Sequence, residues 1–176
     1  LLKSMLNFNG LDLNDIELIN VSFSLSPSLV SGKVDAIIGA FRNFELNQMN
    51  IIQRPGYAFY PEENGVPAYD ELILVTHKKK LGDPRLRRFL DALESATLFL
   101  INHPRKAWAY FVSYDKNLDD RLNRLAWQDT LPRFTLRPSA LDSNRYNRFS
   151  AFLKKQNLIR SSQSLSDYAV EILPIK

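Results

Sequence analysis

Cysteine is absent from this chain of 176 residues, and histidine occurs only twice. Without cysteine there are no disulfides and no thiolate metal sites, and two histidines alone leave a zinc ion short of its usual donors. No metal and no cofactor is expected. His77 and His103 each stand beside a helix start and read as surface or capping residues. Glycine is also scarce, at six residues, and none falls in a dinucleotide fingerprint, a phosphate-cradling loop or a nucleophile elbow. No apolar run approaches the ~20 residues that span a bilayer. An initiator methionine and a signal-peptide pattern are missing at Leu1. "LLKSMLNFNG" reads instead as the middle of a helix, so the chain is expected to be N-terminally incomplete.

What is present is ordinary for a folded domain. Hydrophobic residues make up 45% and charged residues 24%, a balance that excludes disorder. The length suits one sizeable domain or two small lobes. The net charge of +4 comes from 23 basic and 19 acidic residues. The one dense basic run, His77-Lys78-Lys79-Lys80, reads as a solvated loop or helix entry. Arg121, Arg124, Arg133 and Arg137 are scattered among acids and apolar residues, with no groove-reading motif, so no nucleic-acid partner is expected.

Hydrophobic patterning predicts an α/β chain. Leu2–Phe8 reads as a helix stopped by Asn9-Gly10. "IELINV" at 16–21 is a short β-rich run, and Ser26-Pro27 suits an N-cap and first helical position, with Gly32 ending that helix. Val34–Gly39 is a second predicted strand, apolar apart from Asp35, as expected of one covered on both faces. This βαβ spacing predicts parallel pairing. A short helical segment over 41–49, a third strand over 50–53 and a fourth, "ELILVT", at 71–76 complete the sheet. Between them, 54–68 carries Pro55, Gly56, Pro61, Gly65 and Pro67 and reads as an irregular crossing. Beyond it the chain turns helical. Helices are predicted from Asp83-Pro84, from His103-Pro104, over 119–127, and over 143–156, where Tyr146, Phe149, Phe152 and Leu153 form an apolar stripe.

No catalytic set emerges from the residues. Asp119-Asp120 and Glu62-Glu63 are adjacent pairs, and neighbours on a helix point apart. Position is more informative. Ligands of open parallel sheets lie beyond the carboxyl ends of the strands. The strand over 34–39 would end at Gly39-Ala40 and release Phe41, Arg42, Asn43, Phe44 and Glu45 there. A flat aminopyrimidine needs such a mixture, a ring to stack on and a carboxylate or amide to accept its exocyclic N–H. Tyr57, Tyr60 and Tyr69 in the crossing would form the opposite wall. The competing reading is that Phe41 and Phe44 are core residues and Glu45 an exposed helix-start carboxylate, and the residues alone leave both open.

Five pieces, "LLKSMLNFNG", "IELINV", "LVSGKVDAIIGAFRNFEL", "VPAYDELILVTHKK" and "DPRLRRFLDALESATLFLINHPRKAW", resemble the thiamine-pyrimidine family of periplasmic-type binding proteins. That family includes binding proteins for formylaminopyrimidine or hydroxymethylpyrimidine precursors and the related fungal pyrimidine synthases. "SGKVDAIIGA" is shared with many type II binding proteins, and "FRNFE" narrows the match to the pyrimidine branch.

The resemblance implies a type II periplasmic-binding-protein fold of two α/β lobes, represented here by the second lobe and the return to the first. Residues 1–53 would belong to the second lobe, 54–70 would hold the hinge, and 71–176 would return to the first lobe with the C-terminal helices. The implied function is substrate binding for an ABC importer outside the cytoplasm. Its partners would be a thiamine-precursor pyrimidine and a membrane permease. Asn43 and Glu45 would hydrogen-bond the pyrimidine, Phe41 or Phe44 and Tyr69 would sandwich it, and Arg42 would form a lobe salt bridge rather than touch the ligand. A half-lobe exposes a large apolar face, so a homodimer or a swapped assembly is expected. The synthases use pyridoxal phosphate and carry a cysteine-rich run before the segment corresponding to 71–76. This sequence reads "GVPAYDELILVT" there, which argues against synthase chemistry and for a non-enzyme. A pyrimidine-phosphate synthase and a binding protein for another small ligand, such as an alkylsulfonate, are the alternatives.

Overall fold

The computed structural model describes residues 1–172. Eight α-helices occur among them. They are α1 (Leu2–Phe8), α2 (Leu25–Val30), α3 (Glu45–Ile51), α4 (Pro84–Asn102), α5 (Pro104–Ser113), α6 (Arg121–Thr130), α7 (Ser143–Lys155) and α8 (Leu165–Tyr168). Short 3-10 turns lie between them.

Helix ends follow local chemistry. Asp83, Asp120 and Asp142 each accept a hydrogen bond from a backbone N–H in the first turn of α4, α6 and α7, satisfying donors that have no intrahelical partner. α1 ends at Asn9, Gly10 takes φ +75, and Leu11 N–H returns to the Leu6 carbonyl. α7 ends with Asn157 in the left-handed region. His77 accepts from the Lys79 N–H, so it is a capping residue, whereas the His103 side chain makes no cap bond and lies 5.1 Å from the Phe99 ring.

α2 departs from expectation at its start. It begins at Leu25 with Ser24 as N-cap, and Ser26 is buried inside it. Pro27 is tolerated there because the first-turn N–H groups have no helical acceptor anyway.

The four predicted strands do not form, and no strand occurs among the described residues. The 50–53 run instead finishes α3. Ile52 N–H bonds to the Gln48 carbonyl, and Gln53 closes the helix at φ +58. The runs 16–21, 34–39 and 71–76 are irregular, and no backbone N–H within them donates to another backbone group among the described residues. A strand is a pairing, and β-rich composition cannot create it without a neighbouring backbone. These runs find no pairing backbone among the described residues. Leu72 and Val75 are 89% and 84% exposed. The α/β sheet is thus absent from the described residues, and what is observed is helices joined by irregular segments.

The core is correspondingly small. Met49, Val66, Leu90 and Ala107 are its buried hydrophobic residues. The accessible surface is 13566 Å² for 20.3 kDa, against about 8,800 Å² expected of a compact monomer of that mass. The best-packed region joins α4, α5 and α6. Trp108, Phe111 and Trp127 there form a triangle with ring centroids 5.3–5.6 Å apart. α1 packs on the crossing segment, where Gly65 at φ +83 lies under the Phe8 ring and the Asn9 side-chain amide donates to Oδ1 of Asn64. No described helix is long and apolar enough to cross a membrane.

Candidate functional site

Residues 41–45 form a tight turn into α3. Phe44 N–H and Glu45 N–H both donate to the Phe41 carbonyl at 3.0 Å, and the Glu45 carboxylate accepts from the Phe41 N–H at 2.7 Å. Glu45 therefore closes its own turn, a role its place in the first turn favours, since the Phe44 N-cap has no side-chain acceptor to offer.

Two anchors hold this turn on the protein. Asn43 donates its amide to the Thr130 hydroxyl at 2.7 Å, and one helical turn later Asn47 donates to Asp129 at 2.7 Å. Both bonds tie the start of α3 to the end of α6. Arg42 reaches the crossing segment, where its guanidinium makes two bonds to Glu62, at 2.8 and 3.1 Å, and sits 4.2 Å from the Tyr60 ring centroid. The hydrogen bond from Arg42 holds the Glu62 carboxyl below its ordinary range, against the opposing effect of partial burial. The same bond raises Arg42. The expected ion pair of Arg42 is formed, and its partner is Glu62, one of the two adjacent carboxylates of the crossing.

Phe41 is 52% and Phe44 36% exposed, and neither ring pairs with another aromatic ring among the described residues. Both are open to solvent, which sets aside the reading of them as core. Tyr69 is placed differently. Its ring lies flat against Phe149 of α7, with centroids 4.6 Å apart. Partial burial, with the carboxylates of Glu71 and Glu62 nearby, keeps its phenol protonated beyond the ordinary range. The structure thus gathers Phe41, Asn43, Phe44 and Glu45 on one turn and puts Tyr69 on a separate aromatic surface.

That surface lines a cavity of about 630 Å³ between residues 69–73, α7 and the segment leading into α8. Its walls include Tyr69, Ile73, Tyr146, Phe149, Leu153 and Tyr168. Asp70 pairs with Arg145 on its lining, to which Arg160 also belongs. Burial, with Asp70 close by, raises the Tyr146 phenol. The aromatic stripe of α7 was visible in sequence as a helix face, and nothing in its spacing indicated that part of the face would border a cavity. Among the described residues no group of three or more His, Asp or Glu side chains is placed to hold a metal.

Comparison with known proteins gives these residues a context. A family model described as NMT1/THI5 like matches residues 1–107. A protein of Haemophilus influenzae named for thiamine biosynthesis is 53% identical over 173 residues, which cover 98% of this chain and 55% of the relative. The formylaminopyrimidine-binding protein of Halalkalibacterium halodurans is 36% identical over 81 residues, 44% of this chain and 24% of its own length. The chain spans little more than half of the first relative and about a quarter of the second.

Proposed function

The chain belongs to the NMT1/THI5-like family, and on that premise we propose that it binds a thiamine-precursor pyrimidine as the substrate-binding component of an ABC importer, outside the cytoplasm. The observation that carries this reading is the turn 41–45, where two exposed rings flank a carboxylate and an amide on a few consecutive residues. Phe41 or Phe44 offers a face for the ring to stack on. Glu45 accepts from the exocyclic amine with the oxygen that Phe41 does not use, and the Asn43 carbonyl oxygen accepts a second N–H. Tyr69 supplies the far side when the segments close, its own ring backed by Phe149.

Residues 1–53 and 71–176 would then serve two lobes, with the hinge in 54–70. The type II α/β sheet would form when 16–21, 34–39 and 71–76 gain backbone partners. A second copy is one source of such partners, by strand exchange, and the exposed Leu72–Val75 run is the segment best suited to it. A membrane permease is the partner for delivery. The binding side of the family is favoured over its synthases because the relative with a stated ligand is named as a binding protein and because the sequence has no cysteine.

Titration calorimetry of the full-length protein with formylaminopyrimidine tests the proposal. Micromolar or tighter binding is expected, weakened about 10- to 100-fold by Glu45→Gln, the size of a lost hydrogen bond to a charged group. Failure to bind any thiamine-related pyrimidine would refute it.

A further inference from the structure

We propose that the cavity beside α7 is a second ligand site, separate from the turn 41–45, and that it takes a flat aromatic molecule carrying one negative charge. Its volume of about 630 Å³ falls within the ~300–1,000 Å³ of small-molecule pockets. The walls supply ring faces on two sides. Tyr69 and Phe149 are stacked with planes 16° apart, and Tyr146 and Tyr168 lie with centroids 6.5 Å apart. Leu153 and Ile159 complete an apolar lining. An aromatic ligand gains from such rings both by burial and by offset or edge contacts.

Charge decides the second property. The acidic and basic side chains of the lining are Asp70, Arg145 and Arg160. Arg145 is occupied, since it pairs with Asp70 and lies 3.6 Å from Asp142 at the start of α7. Arg160 makes no ion pair or side-chain hydrogen bond among the described residues. Arg145 is thus matched by carboxylates, and Arg160 is the cation of the lining left without one among the described residues. The planar guanidinium fork suits a carboxylate or a phosphate oxygen pair. Ser150, Ser161 and Gln163 add polar groups on the same border.

The inference rests on the cavity and not on the pyrimidine reading: the two share Tyr69 alone, and no residue of 41–45 lines this cavity. Naphthoate and its neutral isostere naphthamide are suitable probes, titrated into the isotopically labelled protein and followed by two-dimensional NMR. Naphthoate is expected to shift the resonances of Tyr146, Phe149 and Tyr168 and to bind about tenfold more tightly than naphthamide. Arg160→Gln, at an exposed position, should bring the two affinities within about twofold, while Glu45→Gln leaves both unchanged. Equal affinities in the unmodified protein, or naphthoate shifts confined to other surfaces, would overturn the proposal. Loss of formylaminopyrimidine binding with retained naphthoate selectivity would count against the pyrimidine reading alone.

Discussion

The ring of Tyr69 lies against that of Phe149, with centroids 4.6 Å apart and planes inclined by 16°. Eighty positions separate them in sequence, so this stack fastens the end of the crossing segment to α7. It also settles which aromatic neighbour Tyr69 has, since neither Phe41 nor Phe44 is ring-paired with it.

Truncating one ring should loosen that fastening. Phe149→Ala is expected to destabilise the protein by roughly 2 kcal/mol, less than the ~3–5 of a fully buried phenylalanine because the site is only half-buried. Denaturant unfolding measures the loss, and near-ultraviolet dichroism should report a freed tyrosine. An unchanged midpoint would mean that the stack contributes nothing to stability.

The junction of α3 and α6 is open to a double-mutant cycle. Asn47 and Asp129 share one hydrogen bond at 2.7 Å, part-buried and charge-assisted. Asn47→Ala and Asp129→Ala, alone and together, should reveal a coupling energy of about 1 kcal/mol. Strict additivity would show that the bond is not maintained in solution.

Gly65 combines two constraints. Its φ of +83 disfavours any side chain, and a Cβ there would come within 2.9 Å of the Phe8 ring. Gly65→Ala should destabilise by about 1–2 kcal/mol from the backbone alone. Adding Phe8→Ala should relieve the contact with the ring and leave the backbone part together with the 2.9 Å approach to the Phe8 Cβ. Full recovery of stability in the double variant would locate the whole effect in the ring contact.

The Arg42–Glu62 pair predicts a pH dependence of definite sign. The Glu62 carboxyl is held below its ordinary value of 4.5, first by its hydrogen bond to Arg42. A carboxyl with a depressed folded-state pKa stabilises the fold above its unfolded pKa, and that contribution disappears as pH falls through the folded value. The pair is partly exposed, so the effect on stability should be small and weakened by salt. A carbon-detected titration of Glu62 should give a midpoint below 4.5, and Arg42→Gln should move it upward. A midpoint that Arg42→Gln leaves unmoved would exclude the pair in solution.

Helices α4 to α7 were legible in sequence because their signals are local, whereas α8 begins inside a polar stretch, 161–166, that reads as loop. Asp83-Pro84, His103-Pro104 and Asn157 mark ends by satisfying or terminating neighbouring backbone groups, and the 3.6-residue apolar period lies within each segment. The cluster at Phe41–Glu45 was legible for the same reason, being five consecutive residues. The fate of 16–21, 34–39 and 71–76 was not, since a strand's hydrogen bonds belong to two segments at once and composition names only one of them.

The segment 41–45 illustrates the boundary between the two kinds of information. Its residue types alone make it a mixed aromatic and polar surface, whatever surrounds it. Whether Glu45 faces solvent or closes its own turn, whether Arg42 meets Glu62, and whether Tyr69 faces this turn or Phe149 depended on contacts spanning 4, 20 and 80 residues. Hydrophobic period and capping chemistry act within a few residues, and they carry no record of which distant surface will arrive. The cavity beside α7 exists only because 69–73 meets α7 and the residues just after it, far away in sequence, so it could be recognised only once the chain had folded.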